Sequence, residues 1–269
     1  MAVTRRGYIF SAFLSSVLCV LLIVVALSSD SWVVSTASTN NQVSDSELRY
    51  GLFRGELILR TLATPNINTL YMTCLSNLNA CALSCKTNAD ARLIEVNITL
   101  TIPHSDNYVH PHNYIYYFLF SVLEPPVISY AFYVSVITIL CAQLFVAVVA
   151  AGLAILNATK NPTEPIFGLP GCLYTNVATA CLGCIVMLMF GIYWLTSGLN
   201  EHLALAYVAL GMYEAGPGLG YSYWLLIVSI LCAVANIVLI QLRAYLLERD
   251  PPPPMIKVEN HSDGTIFLY

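Results

Sequence analysis

The stretch VISYAFYVSVITILCAQLFVAVVAAGLAIL, residues 127–156, contains no Asp, Glu, Lys, Arg or His. At 1.5 Å of rise per helical residue, roughly 20 apolar residues cross a hydrocarbon core about 30 Å thick. A charge at the centre of such a helix costs on the order of 2.5–3.5 kcal/mol, and this stretch carries none. It is read as a membrane-spanning helix. Three further uncharged stretches meet the same length: Tyr8 to Leu27, Gly171 to Gly198 and Tyr221 to Gln241. The first follows Arg5 and Arg6 as a signal peptide would, but its apolar run exceeds the about 7–15 residues of a signal core. It is expected to remain as an anchor.

Composition agrees with four crossings. Of 269 residues 58% are hydrophobic and 10% charged, against about a quarter charged in soluble domains; the mean hydropathy is +0.72. Eleven Lys and Arg stand against fifteen Asp and Glu, a net charge of −4. No basic surplus exists to neutralise a phosphate backbone, which excludes nucleic-acid binding. The expected fold is an α-helical membrane protein: a four-transmembrane-helix bundle with a small β-containing ectodomain in the first outer loop.

An even number of crossings puts both termini on one side. Residues 1–7, the loop 157–170 and the tail 242–269 carry Arg5, Arg6, Lys160, Arg243, Arg249 and Lys257, whereas the loop 199–220 has neither Lys nor Arg. By the positive-inside rule the termini are cytoplasmic. The loop 28–126 also holds basic residues, but loops beyond about 60 residues translocate largely regardless of charge. Trp32, Trp194 and Trp224 all fall at the outer ends of helices, where indole rings favour the headgroup layer. The expected address is the plasma membrane.

Inside the spans the polar residues are mild, Gln143, Asn176 and Asn236 among them. Small residues recur every fourth position in Ser11/Ser15/Cys19, Ala147/Ala151, Thr175/Thr179/Gly183 and Ser229/Ala233. Such stripes let helices approach closely. In the outer loop, Ile94 to Ile102 alternates apolar with polar side chains and reads as a strand with one buried face. Asn97-Ile98-Thr99 on its polar face is a glycosylation sequon. Two more sequons, at Asn157 and Asn260, fall on the cytoplasmic side and are expected to stay bare.

Cys74, Cys81 and Cys85 lie in the outer loop, where an oxidising compartment allows one disulfide among three candidates; the pairing stays open. Cys181-x-x-Cys184 lacks a second ligand pair for zinc, and Cys172 stands at the cytoplasmic boundary as a lipidation candidate. His104, His110 and His112 offer imidazoles with no acidic or cysteine cluster to complete a metal site. No Gly-rich phosphate loop follows a strand, and there is no Ser nucleophile elbow and no carboxylate pair at helical spacing in or beside the membrane. The reading is non-enzymatic, with no catalytic residue, metal or cofactor. Pro251 to Pro254 form a stiff spacer or a docking ligand. In the terminal Thr265-Ile266-Phe267-Leu268-Tyr269, an added strand points Phe267 and Tyr269 to one side, which suits a PDZ-domain partner.

Trp32 after the first helix and Gly51-Leu52-Phe53 in the outer loop resemble the claudin-type pattern of Trp followed by Gly-Leu-aromatic. Tyr50-Gly51-Leu52-Phe53-Arg54-Gly55-Glu56 more closely resembles the loop motif of the clarin family. The stretch 161–190, with Pro162, Glu164, Gly168 and Gly183-Cys184-Ile185-Val186-Met187, is similar to their second-loop and third-helix segment, and Tyr269 after an apolar residue is clarin-like. The chain departs from them in its longer outer loop and tetraproline tail. The resemblance implies a non-enzymatic organiser of specialised membranes in sensory cells, at hair bundles, ribbon synapses and photoreceptors, and so a part in hearing. It would hold membrane and actin-linked proteins in place. The alternative implied by claudin-type folds is an auxiliary subunit or component of an ion channel or a claudin-like junction.

Overall fold

The computed structural model describes residues 2–38, 46–60, 64–101, 128–159, 166–197, 199 and 214–249. Four helices dominate: α1 (Ala2–Ser28), α3 (Tyr130–Thr159), α4 (Leu169–Thr196) and α5 (Tyr221–Arg249), with a shorter α2 (Ala89–Thr101) between the first two. All four long helices contain a segment long and apolar enough to cross a bilayer: Gly7–Ser28, Tyr130–Thr159, Leu169–Thr196 and Tyr221–Leu246. They close a ring in which α1 packs on α5 and α3, and α4 packs on α3 and α5.

Their ends differ from the uncharged stretches for identifiable reasons. Ile128 and Ser129, apolar enough to count as span, are instead a short strand before α3. Helix α4 starts two residues early because Gly168 is its N-cap and Pro170 lies in its first turn, where a missing N–H costs nothing. Helix α5 runs well past Gln241, since Arg243 ends the apolar stretch without interrupting the backbone ladder.

The buried positions repeat in steps of three and four. In α3 they are Val136, Leu140, Gln143, Ala147, Ala150, Ala154 and Asn157; in α4, Cys172, Asn176, Thr179, Gly183, Val186 and Phe190; in α1, Ile9, Ala12, Ser16, Cys19, Ile23 and Ala26. A seven-residue repeat is the period of left-handed, coiled-coil-like packing. The strict four-residue stripes therefore drift off the seam. Ser11 is exposed and Ser15 half-buried, while Ala12 and Ser16 take the inner positions. Facing outward are large apolar side chains such as Phe145, Tyr174 and Leu188.

One end of the bundle carries an antiparallel sheet of seven strands: β1 (Val33–Ser38), β2 (Ser46–Tyr50), β3 (Arg54–Leu59), β4 (Asn66–Leu75), β5 (Ala80–Ser84), β6 (Ile128–Ser129) and β7 (Glu214–Leu219). Their order is β6-β5-β4-β3-β2-β1-β7. The sheet is larger than expected from the first loop alone, because β7 comes from the second loop and pairs along the whole of β1. Between β4 and β5, Asn79 adopts a left-handed conformation (φ 48°), which Asn tolerates better than most residues. Its carbonyl and Oδ1 accept hydrogen bonds from the Tyr130 and Ala131 amides at 3.1 and 3.0 Å, capping α3 from the sheet.

The strand expected at Ile94 to Ile102 is absent, and α2 occupies its first eight residues. Asn88 Oδ1 accepts from the Asp90 amide (3.0 Å) and Asp90 sits in the first turn, both helix-start features. Val96 is buried against the sheet, and Arg92 lies over the Tyr71 ring at 4.8 Å. A cap and docking on β4 and β5 thus outweigh the two-residue alternation.

Sheet and bundle meet at Trp32, whose side chain is fully buried. Its Nε1 donates to the Ala26 carbonyl at 2.6 Å, and its ring lies 5.0 Å from that of Phe190. Removing so large a buried ring typically costs about 3–5 kcal/mol. Trp32→Ala is therefore expected to lower the thermal midpoint of the purified protein sharply, whereas Trp224→Ala, on a half-exposed indole, is expected to change it little. Equal effects would show that Trp32 does not join the two parts.

Candidate functional site

The residues of the Tyr50–Glu56 motif form the turn from β2 into β3. Tyr50 ends β2, and its carbonyl accepts from the Trp32 amide at 2.9 Å; the Trp32 carbonyl in turn accepts from the Gly220 amide at 2.8 Å. The backbone at position 32 thereby ties together both loops. Gly51 crosses the end of α1 so closely that an added Cβ would run into the Ser29 carbonyl oxygen and the Asp30 backbone. Leu52 is buried, and its carbonyl accepts from the Tyr133 hydroxyl at 2.8 Å. A narrow apolar crevice lies here between Trp32, Leu52, Met72, Phe132 and Phe190.

Phe53, Arg54 and Glu56 face away, whereas Gly55 is buried. Phe53 is 46% exposed. Gly55 pairs with Tyr50, and Glu56 is exposed opposite Arg49. Arg49 donates its Nε to Glu47 at 2.6 Å, and that bond, with smaller help from the charges of Glu47 and Glu56, holds its pKa above the ordinary value against the opposing effect of burial. The motif thus divides into an inner half that locks sheet to helices and an outer half that presents an aromatic ring and charge. The tryptophans divide likewise: Trp32 and Trp194 are buried and Trp224 is exposed.

Cys74 and Cys81 sit directly opposite in the β4–β5 ladder and form a disulfide; Cys85 is a half-buried thiol. Burial, with Glu95 nearby, pushes the Cys85 thiol up. Asn97 is exposed, on a helix and not on a strand face. Asn157 of the second sequon is buried, and its Nδ2 donates to the Leu153 and Phe167 carbonyls, both at 2.8 Å. Cys172 is buried against Leu153, Ala154 and Ile240, out of reach of a lipidating enzyme in the folded bundle, and Cys181 and Cys184 point outward. Among the described residues no three His, Cys, Asp or Glu side chains gather to hold a metal. His104, His110, His112, Pro251 to Pro254, Asn260, Phe267 and Tyr269 lie outside the described residues.

The bundle interior holds polar contacts that spacing did not reveal. Asn236 of α5 donates its Nδ2 to Ser16 Oγ of α1 (2.9 Å) and to Asn176 Oδ1 of α4 (3.1 Å), joining three helices across the axis. On the sheet side of this layer Gln143 is fully buried beside Gly183, where a Cβ would come within 2.7 Å of its Nε2, and neither its amide nitrogen nor its oxygen has a partner. Two aromatic contacts also escaped sequence reasoning. The Phe132 and Tyr193 rings stack at 3.9 Å, and the Tyr193 hydroxyl accepts from the Ser129 amide at 3.0 Å.

Three predictions follow from these contacts. Alkylation before and after reduction is expected to mark Cys85 among the loop cysteines of the unreduced protein, slowly at neutral pH because its raised pKa leaves little thiolate. The double variant Cys74→Ser, Cys81→Ser is expected to lose about 2–3 kcal/mol for a loop this short. Gln143→Met, which removes the orphaned amide at similar volume, is expected to raise the thermal midpoint, by up to about 1–3 kcal/mol of stability; a comparable loss would mean that the amide has a partner. No protein-family model and no curated protein matches the chain.

Proposed function

We propose that the chain is a multi-pass membrane protein of clarin-like type, a non-enzymatic scaffold that organises a specialised region of the plasma membrane through lateral contacts. In this reading the sheet faces outward, both chain ends face the cytosol and Asn97 carries a glycan. The observation that carries it is the junction at Trp32. Strands from two separate loops form one sheet, and the inner half of the motif, Gly51 and Leu52, fixes that sheet to the helix ends. Such a rigid mount holds Phe53 and its polar neighbours at a set height above the bilayer, as an adaptor for neighbouring proteins requires.

Two features support a scaffold over a pore. Small and polar side chains from all four helices meet on the bundle axis, and the Ser16–Asn236–Asn176 contacts cross it. The placement in sensory cells rests on the resemblance of residues 50–56, of the stretch 161–190 and of Tyr269 to the clarin family.

The test combines topology with activity. Tags at either end are expected to react with antibody only after permeabilisation, and Asn97→Gln is expected to remove one glycan-sized mass shift. In planar bilayers the purified protein is expected to pass no ion current. Current from the protein alone would overturn the scaffold reading, and altered gating only with a co-expressed channel would favour an auxiliary channel subunit.

A further inference from the structure

The inward seam of α5 runs through Leu226, Ser229, Ala233, Asn236 and Ile240, and the next position in the same three-four rhythm is Arg243. A guanidinium meant only for the headgroup layer would sit on the outward side of the helix, where Leu242 and Tyr245 are exposed. Arg243 instead lines a crevice at the bundle end opposite the sheet, built from all four helices: Ile9 of α1, Asn157 of α3, Leu169 and Cys172 of α4, and Ile240 of α5. Its Nε is buried and has no hydrogen-bond partner. Among the described residues the one ion pair, Arg49 with Glu47, is at the other end of the molecule. The side chain as a whole is half-buried, and a donor of a charged group that is buried without an acceptor is costly to keep.

We propose that this crevice binds the phosphate headgroup of an anionic phospholipid, with Arg243 as its cation. Charge complementarity selects an anionic headgroup, because a guanidinium is matched by a phosphate that accepts two parallel hydrogen bonds, whereas in phosphatidylcholine the choline cation offsets that phosphate and repels Arg243. The walls select a lipid. Ile9, Leu169 and Ile240 are apolar, so they suit the carbons that follow a headgroup, whereas free phosphate would leave them against water. The level is also right, since the crevice lies where the spanning segments end. A lipid seated there would tie the four helix ends together, as the sheet does at the other end.

The proposal rests on the bilayer-spanning reading, and the experiment separates the two. The full chain is placed in nanodiscs of phosphatidylcholine with or without a minor share of phosphatidylserine, and the lipids that stay bound are identified by native mass spectrometry. The wild-type protein is expected to retain phosphatidylserine over phosphatidylcholine by about tenfold or more, the worth of a charge-assisted hydrogen bond. Arg243→Gln is expected to lose that preference and Arg243→Lys to keep part of it. Arg249→Gln, at an exposed position on the same helix, is expected to keep it whole. Should Arg243→Gln not fold, Leu169→Phe, which narrows the crevice and leaves the cation, is expected to lose it too. Equal loss in Arg249→Gln would mean diffuse surface attraction and overturn the site. Inorganic phosphate that raises the thermal midpoint of the lipid-stripped protein as much as phosphatidylserine does would make this a free-anion site and overturn the lipid assignment. A chain that does not enter nanodiscs refutes the spanning reading and the proposal with it, whereas insertion without lipid preference refutes the proposal alone.

Discussion

Each long helix is apolar around its whole circumference, so hydrophobicity cannot distinguish its inside from its outside. In a bilayer there is no water to drive helices together, and association depends on close packing and on hydrogen bonds between polar side chains. That constraint fixes the bundle. Ala12, Ser16, Cys19, Gly183, Ser229 and Ala233 are small enough for close approach, and Asn236 bonds Ser16 and Asn176 across the interior. The seven-residue rhythm of those positions sets which flank of each helix meets which neighbour, and every outward side chain then faces lipid by default.

The sheet depends on the bundle in turn. Strands β1 and β7 leave the ends of α1 and α5, whose packing brings Ser29 to Ser222, so the two loops start from one point. Trp32 then does two jobs with one residue. Its backbone bridges Tyr50 and Gly220, and its ring fills the space between Ala26 and Phe190. Without helices at the right separation β7 would have no partner. With them, a strand as poor in ordinary strand residues as Glu214–Leu219 still forms, because its register is set from outside.

How much of this was legible in the sequence follows from the same physics. The four spans were, because length and lack of charge suffice for them. The inward seam was not: a moment of hydrophobicity vanishes when both faces are apolar, and fixed four-residue stripes miss a rhythm that alternates three and four. The region 94–102 misled because its period-two alternation coexists with Leu93, Val96 and Leu100 at helical spacing, and the deciding cap, Asn88, lies outside the alternating stretch. Strand β7 contains Gly216, Pro217 and Gly218 and has no alternation to read. At the site, Trp32, Gly51 and Leu52 stood out in the sequence only as parts of a motif, because their ties to Tyr133 and Phe190 are tertiary and left no local mark. The pairing of Cys74 with Cys81 needed the β4–β5 register.

The central claim is that polar and small residues define the inside of a lipid-embedded bundle. Its most direct measurement places a nitroxide label at each position of α4 from Asn176 to Phe190, in bilayers, and reads collision with oxygen and with an aqueous nickel complex. Oxygen collision is predicted to be lowest at Asn176, Thr179, Gly183, Val186 and Phe190 and highest at Val177, Cys181, Ile185 and Leu188, with nickel excluded throughout. Nickel access along the helix, or oxygen minima on the Val177–Cys181–Leu188 face, would contradict it.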